Sequence, residues 1–600
     1  MCGINLIFAY RNEAPKIDAD ELVAVRDAMV PRGPDEAGIW QSTDKRIGFG
    51  HRRLSIIDLS PTGRQPMALC DVPDSPVITF NGEIYNFHEL RKDLERDGAT
   101  FVSTSDTEVL LHLYRRDGRA MVEQLRGMYA FAIWDPAKRG VLLARDPFGI
   151  KPLYYADDGR NLRAASQVKA LLHGNGIDTS TNAAGHVGFF TFGFVPDPHT
   201  LYKGIRALPA GSTLWCGDTG PEGLRNFFDI AETFRNAEPK TLLDGQELRC
   251  RLHEVLLDSV RSHLIADVPV GLFLSAGLDS STLAALAREA SDEPLRSITL
   301  GFEEYRGTSA DETPLAKQVA GALGLQHQTR WVHGDEFAAD RQALFRAMDQ
   351  PSIDGANTYF VAKAAAGEAG LKVAISGVGG DELFAGYPSF TNVPRLAALT
   401  SWARNIPGLG RGLRIITAPF IRHMTAPKYA GLLEYGTSLG DAYLLRRALF
   451  MPWELPEILD PDIVREGWRN LAACSALELT ATGLPNDRTA VSALELSWYM
   501  RGQLLRDADW AGMAHSLEIR TPLVDVDLFR ALAPLLIGGR PPQKRDMASA
   551  PGIPLPNTVL NRPKSGFSIP IRDWLSDRRI TSPERGLRGW ARVVYENFQP

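Results

Sequence analysis

The second residue of the chain is a cysteine, and its position would give it a chemistry that an internal cysteine lacks. Removal of Met1 is expected when the next residue is small, and it would leave Cys2 with both a thiol and a free α-amine. An α-amine that titrates near ~8 can take the proton of a thiol that titrates near ~8.5. Cys2 is therefore a candidate nucleophile for acyl transfer from an amide. The alternative is a small apolar side chain buried in the core.

Five N-terminal segments combine Cys2 with further polar residues. They are Met1-Cys2-Gly3-Ile4, Arg32-Gly33-Pro34-Asp35, His51-Arg52-Arg53-Leu54-Ser55-Ile56, Asn81-Gly82-Glu83-Ile84-Tyr85-Asn86 and Ser105-Asp106-Thr107-Glu108. These segments resemble class II glutamine amidotransferases, and they occur in the same order as in that family. The resemblance implies a glutaminase site with Cys2 as its nucleophile.

By the same resemblance, polar residues of these segments have roles toward glutamine. Arg53 would pair with the α-carboxylate, which a guanidinium fork can bind through two hydrogen bonds. Glu83 and Asp106 would hold the α-ammonium and its surroundings. Asn81 and the backbone of Gly82 would form the oxyanion hole for the tetrahedral intermediate.

Each of these residues also has a structural interpretation. Arg53 could lie on the surface of an edge strand, Asp106 could cap a helix, and Asn81-Gly82 could form a hairpin turn. The combination with Cys2 favours the glutaminase site.

A second candidate site begins at Ser275-Ala276-Gly277-Leu278-Asp279-Ser280-Ser281, between an apolar strand and an amphipathic helix. Backbone amides, hydroxyl groups and the positive end of a helix dipole suit an anion there. The segment resembles the loop Ser-Gly-Gly-x-Asp-Ser of enzymes that cleave ATP between the α and β phosphates. Ala276 replaces the first glycine, which could narrow the approach of phosphate. A plain turn with serine caps is the alternative.

The segment from Ile375 to Tyr387, Ile-Ser-Gly-Val-Gly-Gly-Asp-Glu-Leu-Phe-Ala-Gly-Tyr, resembles the asparagine synthetase family. The resemblance implies that Asp279 and Asp381 hold Mg²⁺, an ion that prefers carboxylate oxygens. The resemblance also implies which residues bind ATP. They are Leu274, Ser275, Gly277, Asp279, Ser280, Leu300, Ser376 and Gly377.

Three later segments also match this family. Within Arg562-Pro563-Lys564-Ser565-Gly566-Phe567, Lys564 would neutralise charge on the departing pyrophosphate. The segments 504–509 and 515–525 match helical stretches that could either line the nucleotide site or only pack against it.

Together the two sites imply a glutamine-dependent asparagine synthase. ATP would convert aspartate to β-aspartyl-AMP, and ammonia released at Cys2 would travel inside the protein and displace AMP. Val378 stands where the family commonly has an acidic residue, so another carboxylate, such as a sugar acid in polysaccharide synthesis, stays open as acceptor. A β-lactam synthetase-like ligase and a non-catalytic binding or assembly partner are the competing functions; the intact glutaminase residues oppose the first.

These residues need two different scaffolds to position them. Short strands with period-two alternation, such as 47–57 and 77–85, surround helices at 87–97 and 107–117, which predicts an α+β sandwich. Strands at 268–274, 297–302 and 372–376 alternate with helices at 280–289 and 313–323, as in a parallel α/β sheet. The resemblance implies an Ntn-type αββα sandwich followed by an adenine-nucleotide-hydrolase-like α/β domain with added helices.

We predict a glutaminase domain at residues 1–210, a linker at 211–245 that is rich in glycine, proline and polar residues, and a synthetase domain at 246–600. The Pro-rich segment 541–556 is predicted to be a loop.

Composition excludes other classes of protein. A formal net charge of −6 and the lack of a basic cluster disfavour nucleic-acid binding. No signal-type leader or membrane-length apolar segment is present, so we expect a soluble cytoplasmic enzyme. Five scattered cysteines argue against disulfides or zinc. We expect small-molecule substrates, and a homodimer remains open.

Overall fold

The computed structural model describes residues 2–69, 74–240, 244–291, 293–562, 570, 574 and 586–598. The described strands form three sheets. They are β1 Gly3–Ala9, β2 Glu36–Gln41, β3 Ile47–Arg53, β4 Met67–Ala68, β5 Val77–Ile84, β6 Gly127–Asp135, β7 Gly140–Arg145, β8 Tyr154–Asp157, β9 Asn161–Ala165, β10 Arg206–Ala207, β11 Ser212–Gly217, β12 Gly220–Pro221, β13 Arg225–Asn226, β14 Val270–Phe273, β15 Arg296–Phe302, β16 Gln326–Val332, β17 Val373–Ile375 and β18 Glu518–Arg520.

Helices connect and cover these sheets. They are α1 Ala19–Asp27, α2 Phe87–Arg96, α3 Asp106–Asp117, α4 Val168–Leu171, α5 Ala183–Phe192, α6 Ile230–Asn236, α7 Gly245–His263, α8 Leu278–Ala290, α9 Thr313–Leu323, α10 Gly334–Ala347, α11 Ala356–Gly367, α12 Gly380–Leu383, α13 Ser389–Thr400, α14 Leu409–Met424, α15 Leu432–Tyr435, α16 Leu439–Arg447, α17 Pro461–Leu471, α18 Ala473–Ala481, α19 Asp487–Leu494, α20 Arg506–Met513, α21 Val526–Leu536, α22 Lys544–Ala548, α23 Asn557–Leu560 and a last helix Leu587–Glu596. A π-helix, Glu495–Leu505, joins α19 to α20.

Among the described helices, none combines the length and the apolar composition that a membrane crossing requires.

Two antiparallel sheets form the N-terminal unit, in the orders β10-β8-β9-β1-β3-β2 and β12-β11-β7-β6-β5-β4. Their facing side chains make one core, in which Leu6 and Phe49 from the first sheet meet Ala132 and Leu143 from the second. Helix α1 covers the outer face of the first sheet through Leu22, and α3 covers the second through Leu110. The predicted αββα sandwich is confirmed.

This unit continues past residue 210. Strand β11 lies in the segment 211–245 that was predicted to be a linker, yet it pairs with β7 from Ser212 opposite Arg145 to Cys216 opposite Val141. Its residues Leu214 and Cys216 are buried in the core between the sheets. Residues 212–226 therefore supply strands to the sandwich: Leu214 and Cys216 face the core between the sheets, and Trp215 between them is buried on the opposite face of β11.

A parallel five-stranded sheet forms the C-terminal unit, in the order β16-β15-β14-β17-β18. One face packs against α7, α8, α9 and α21, and the other packs against α10, α11 and α20. The predicted α/β domain is confirmed. Its central strand β14 lies between β15 and β17, so the loops that follow these strands meet at one edge.

The predicted elements that precede the candidate residues agree with the structure to within a few residues. The helix predicted at 313–323 is α9 at the same bounds, and the strand predicted at 47–57 ends earlier, at Arg53. The Pro-rich segment predicted as a loop contains the short helix α22. Its Gln543 and Asp546 form a capping box that begins this helix directly after two prolines.

Two candidate active sites

Cys2 lies half-buried at the start of β1, at the end of the sandwich. Its backbone N–H donates a hydrogen bond to Asn81 Oδ1 at 2.8 Å, and its carbonyl accepts one from Arg32 Nε at 3.1 Å. Burial raises the pKa of the thiol, whereas the positive amino terminus, a hydrogen bond from the Leu54 backbone and the nearby Arg53 lower it. The thiol therefore needs a local base to become a nucleophile.

Asn81 and Gly82 lie beside Cys2 in β5. Asn81 is fully buried, and its Nδ2 donor has no hydrogen-bond partner among the described residues. A buried donor without a partner is costly unless a ligand uses it, so this N–H suits a developing oxyanion. At Gly82 a Cβ would lie 2.1 Å from the Met128 carbonyl oxygen, so only glycine fits there. The structure thus brings Cys2, Asn81 and Gly82 together as predicted.

Glu83 and Asp106 form the acidic side of this site. Both carboxylates are buried, and Asp106 Oδ2 accepts a hydrogen bond from the Ile84 N–H at 3.0 Å. Burial raises the pKa of Asp106 to about 6, although backbone hydrogen bonds oppose the shift. Burial and the neighbouring Glu518 raise the pKa of Glu83 well above its ordinary value. A substrate ammonium group would relieve this cost by pairing with both acids.

Arg53 is buried, so it is not a surface arginine. Its NH1 contacts Glu36 Oε2 at 3.0 Å and the Ser60 carbonyl at 3.3 Å, and its NH2 donates to the Asp58 carbonyl. These contacts fix the guanidinium beside Cys2, where the two groups interact electrostatically. The structure brings it to the predicted site, with these two nitrogens engaged by protein oxygens.

The predicted nucleotide loop leaves β14 at Leu274 and enters α8 at Leu278. Gly277 is the N-cap residue and offers no side-chain cap, so the first amides of a thirteen-residue helix stay available to an anion. Ser280 Oγ contacts Ser275 Oγ at 3.0 Å and donates to the Ser275 carbonyl at 2.8 Å, which closes the loop. Ala276 is buried, so its methyl group packs into the protein.

The second predicted loop, after β17, packs against the first. A Cβ at Gly377 would lie 2.9 Å from Asp279 Cβ and 3.2 Å from the Ser280 nitrogen. Leu274 directly follows β14, Leu300 lies two residues before the end of the neighbouring β15, and both are buried. The predicted ATP contacts therefore meet at the carboxyl edge of the sheet, as parallel α/β folds require.

Asp279 and Asp381 also come together, and a lysine that the sequence analysis missed joins them. Lys544 Nζ lies 2.8 Å from Asp381 Oδ1 and also contacts Asp279 Oδ1. Burial would lower the pKa of Lys544, but the two carboxylates outweigh it and raise the pKa. No local pattern marks this lysine, because it begins a five-residue helix in a Pro-rich segment. Lys564, the predicted phosphate contact, lies outside the described residues.

The segment 504–509 contacts the N-terminal unit. Asp509 accepts hydrogen bonds from Arg32 NH1 and NH2 at 2.7 Å and 2.9 Å, and both side chains are buried. Arg506 donates to Asp197 Oδ1 at 2.6 Å and to the Val195 carbonyl. These residues therefore hold the two units together.

A thiol with an amide donor in an αββα sandwich, joined to an anion loop and paired acids in a parallel α/β unit, defines a two-site amidotransferase. The comparisons agree with this class. Residues 1–227 match the model of the glutamine amidotransferase domain, and residues 251–585 match that of asparagine synthase. The chain belongs to the asparagine synthase family.

Three relatives show the range of this family. Asparagine synthetase [glutamine-hydrolyzing] 1 of Bacillus subtilis is 33% identical, with 100% of this chain and 90% of that protein covered. Asparagine synthetase B [glutamine-hydrolyzing] of Escherichia coli is 32% identical, over 66% of this chain and 67% of its own. Amidase chry2 of Gibberella zeae is 31% identical, over 65% of this chain and 60% of its own.

Proposed function

We propose that this chain is a glutamine-dependent asparagine synthetase that consumes ATP and produces asparagine, glutamate, AMP and pyrophosphate. The observation that carries the proposal is the Asn81 Nδ2 donor beside Cys2, which has no hydrogen-bond partner in the described part of the chain, together with a second unit in which Lys544 contacts both Asp279 and Asp381. Two relatives are named glutamine-hydrolysing asparagine synthetases, and one of them spans this whole chain.

In the N-terminal unit, Cys2 attacks the side-chain amide of glutamine. The α-amine freed by loss of Met1 takes the thiol proton and returns it to the departing ammonia. Asn81 Nδ2 and the Gly82 amide stabilise the oxyanion, while Glu83 and Asp106 hold the α-ammonium and Arg53 the α-carboxylate. Water then releases glutamate from the thioester.

In the C-terminal unit, the loop residues Ser275, Gly277 and Ser280 bind the phosphates of ATP, and Leu274, Leu300, Ser376 and Gly377 border its adenosine. The carboxylates of Asp279 and Asp381 fit Mg²⁺, because this ion binds one or two carboxylates together with substrate phosphates. Mg²⁺ would neutralise phosphate charge there. Lys544 and Lys564 supply further positive charge to the pyrophosphate. Ammonia would reach this unit through the interface, shielded from protonation in bulk water.

Aspartate is the proposed acceptor. A second candidate acceptor is kept because of Val378. Its side chain packs against the apolar core, at a position where the family commonly has an acidic residue. A different carboxylate, such as a sugar acid, is therefore the runner-up. Glutamine and ATP are cytoplasmic metabolites, which supports a cytoplasmic enzyme. A homodimer is a further proposal, testable by sedimentation.

The test is pyrophosphate release by the purified chain with aspartate, uronic acids and other carboxylates, each with glutamine, with ammonium chloride and with neither. We expect release with aspartate and glutamine, accompanied by asparagine. Release only with a sugar acid would establish the runner-up. Release without any nitrogen donor would indicate a ligase acting on an internal amine, and no release with any acceptor would support a non-catalytic partner.

The variant Asp279→Asn makes this test specific to the second site. Pyrophosphate release should fall by about a hundredfold or more, since an anchor of the phosphates is lost, while glutamate release persists. Unchanged pyrophosphate release in this variant would exclude the metal role.

A further inference from the structure

Strand β18, at the edge of the parallel sheet, brings two charged residues to the N-terminal unit. Glu518 and Arg520 are fully buried, and Arg520 Nε donates to Glu518 Oε1 at 2.7 Å. Arg520 NH1 donates to the carbonyls of His263 and Ile265 at 2.8 Å and 2.6 Å. Three oxygen atoms of the protein therefore fix the plane of this guanidinium, including the direction of its remaining nitrogen.

That remaining nitrogen points at the glutaminase site. Arg520 NH2 lies 3.6 Å from Glu83 Oε1, although the two residues belong to different units. Within the described part of the chain, neither Arg520 NH2 nor Glu83 Oε2 has a hydrogen-bond partner. Buried polar atoms are rarely left this way unless a ligand or ordered water uses them. Arg520 NH2 and Glu83 Oε2 therefore keep hydrogen-bonding capacity that a ligand or an ordered water can use.

The charges around Glu83 explain what Arg520 does there. Burial, Glu518 and Asp106 all raise the pKa of Glu83, and Arg520 and the amino terminus oppose them. Glu83 can bind an ammonium group strongly only as a carboxylate. The cation that favours this state is thus supplied by the C-terminal unit.

We propose that Arg520 is a positioning residue of the glutamine site, which holds the Glu83 carboxylate in place for the α-ammonium of the substrate. The glutamine site is then completed only when the two units are assembled. Strand β18 is itself tied to the nucleotide loop, since the Arg520 carbonyl accepts a hydrogen bond from the Ser376 N–H at 2.8 Å. This inference rests on the proposed glutaminase activity.

The experiment measures glutamate release against glutamine concentration for Arg520→Met. We expect KM for glutamine to rise about tenfold to hundredfold, as for loss of a charge-assisted contact, with a smaller change in kcat. The matched control is Arg506→Met, which removes a charged contact between the units at Asp197 and not at Glu83. Arg520→Lys, which keeps the charge, should recover part of the affinity.

A double-mutant cycle separates this role from a structural one. If Arg520 acts through Glu83, Arg520→Met should add little in a Glu83→Gln background, while Arg506→Met should have the same effect in both backgrounds. Equal effects of Arg520→Met with and without Glu83, or a KM equal to that of Arg506→Met, would overturn the inference. Absence of glutamate release by the unaltered chain would instead refute the proposed function.

Discussion

Single atoms decide the chemistry of the glutaminase site. Asn81 uses its Oδ1 to accept the Cys2 N–H, and this contact orients the amide so that Nδ2 has no acceptor among the residues that the structure describes. One side chain thus both locates the nucleophile and offers a hydrogen bond to the oxyanion. Replacing the donor with a group of similar size but no N–H would remove the second role alone.

At this scale the first prediction concerns Cys2→Ala. Glutamate release should be abolished, because no other group can form the thioester, while synthesis from high ammonium stays intact. Cys250→Ala is the matched control, since this cysteine is exposed on α7 and should leave both activities unchanged. Both activities are assayed by glutamate and pyrophosphate formation. Loss of ammonium-dependent synthesis in Cys2→Ala at unchanged stability would contradict the two-site mechanism.

Between elements, close backbone packing sets the shape of the nucleotide site. The loops after β14 and β17 touch because these strands are neighbours in the sheet, and Gly377 allows the contact with Asp279. The uncapped start of α8 then faces the same edge. Three elements, rather than any one motif, create this anion site.

Gly377→Ala tests this packing. The added methyl group would lie 2.9 Å from Asp279 Cβ, so the two loops must separate. We expect pyrophosphate release to fall by about tenfold or more, because small displacements of binding groups are costly in catalysis, while glutamate release is retained. The control is Gly321→Ala, in a helix where a Cβ meets nothing within 4 Å. Equal activity of both variants would show that this contact does not shape the site.

For the whole molecule, the interface between the units is built from buried charges as well as apolar contacts. Leu54 and Ile56 pack on Val373 and Met513 across it. The ion pair of Arg32 with Asp509 lies at the same interface. Arg32 Nε also donates a hydrogen bond to the backbone carbonyl of Cys2. The interface therefore links the stability of the fold to the position of the nucleophile.

Arg32→Leu should destabilise the protein substantially. Leaving Asp509 buried and unpaired costs about 3–5 kcal/mol. Arg52→Leu is the matched control. It removes an ion pair with the same N···O distance, 2.7 Å, but its partner Asp27 has a side chain that is 40% exposed. Exposed ion pairs of this kind contribute about 0–1 kcal/mol to stability. Denaturant unfolding measures both. Similar midpoints for the two variants would show that the buried pair does not stabilise the interface.

Local pattern was sufficient to predict most of the elements, and the resemblance of short motifs to a family named the candidate site residues. The alternation around Asn81 and the apolar run before Ser275 predicted β5 and β14, since strand periodicity is a property of neighbouring residues. The segment 211–226 was misjudged because its glycines and proline separate short strands, although strands β11 to β13 lie there. Turn residues near short strands resemble those of a linker.

By itself, the sequence determined the order of the elements, the resemblance to the family and the set of candidate site residues. Only the tertiary structure decided which residues complete each site. Lys544 reaches Asp279 across 265 positions of the chain, Arg32 reaches Asp509 across 477, and Arg520 meets Glu83 from the other unit. A single arginine or lysine leaves no periodic signal, and its partner is set by how distant parts of the chain pack against each other.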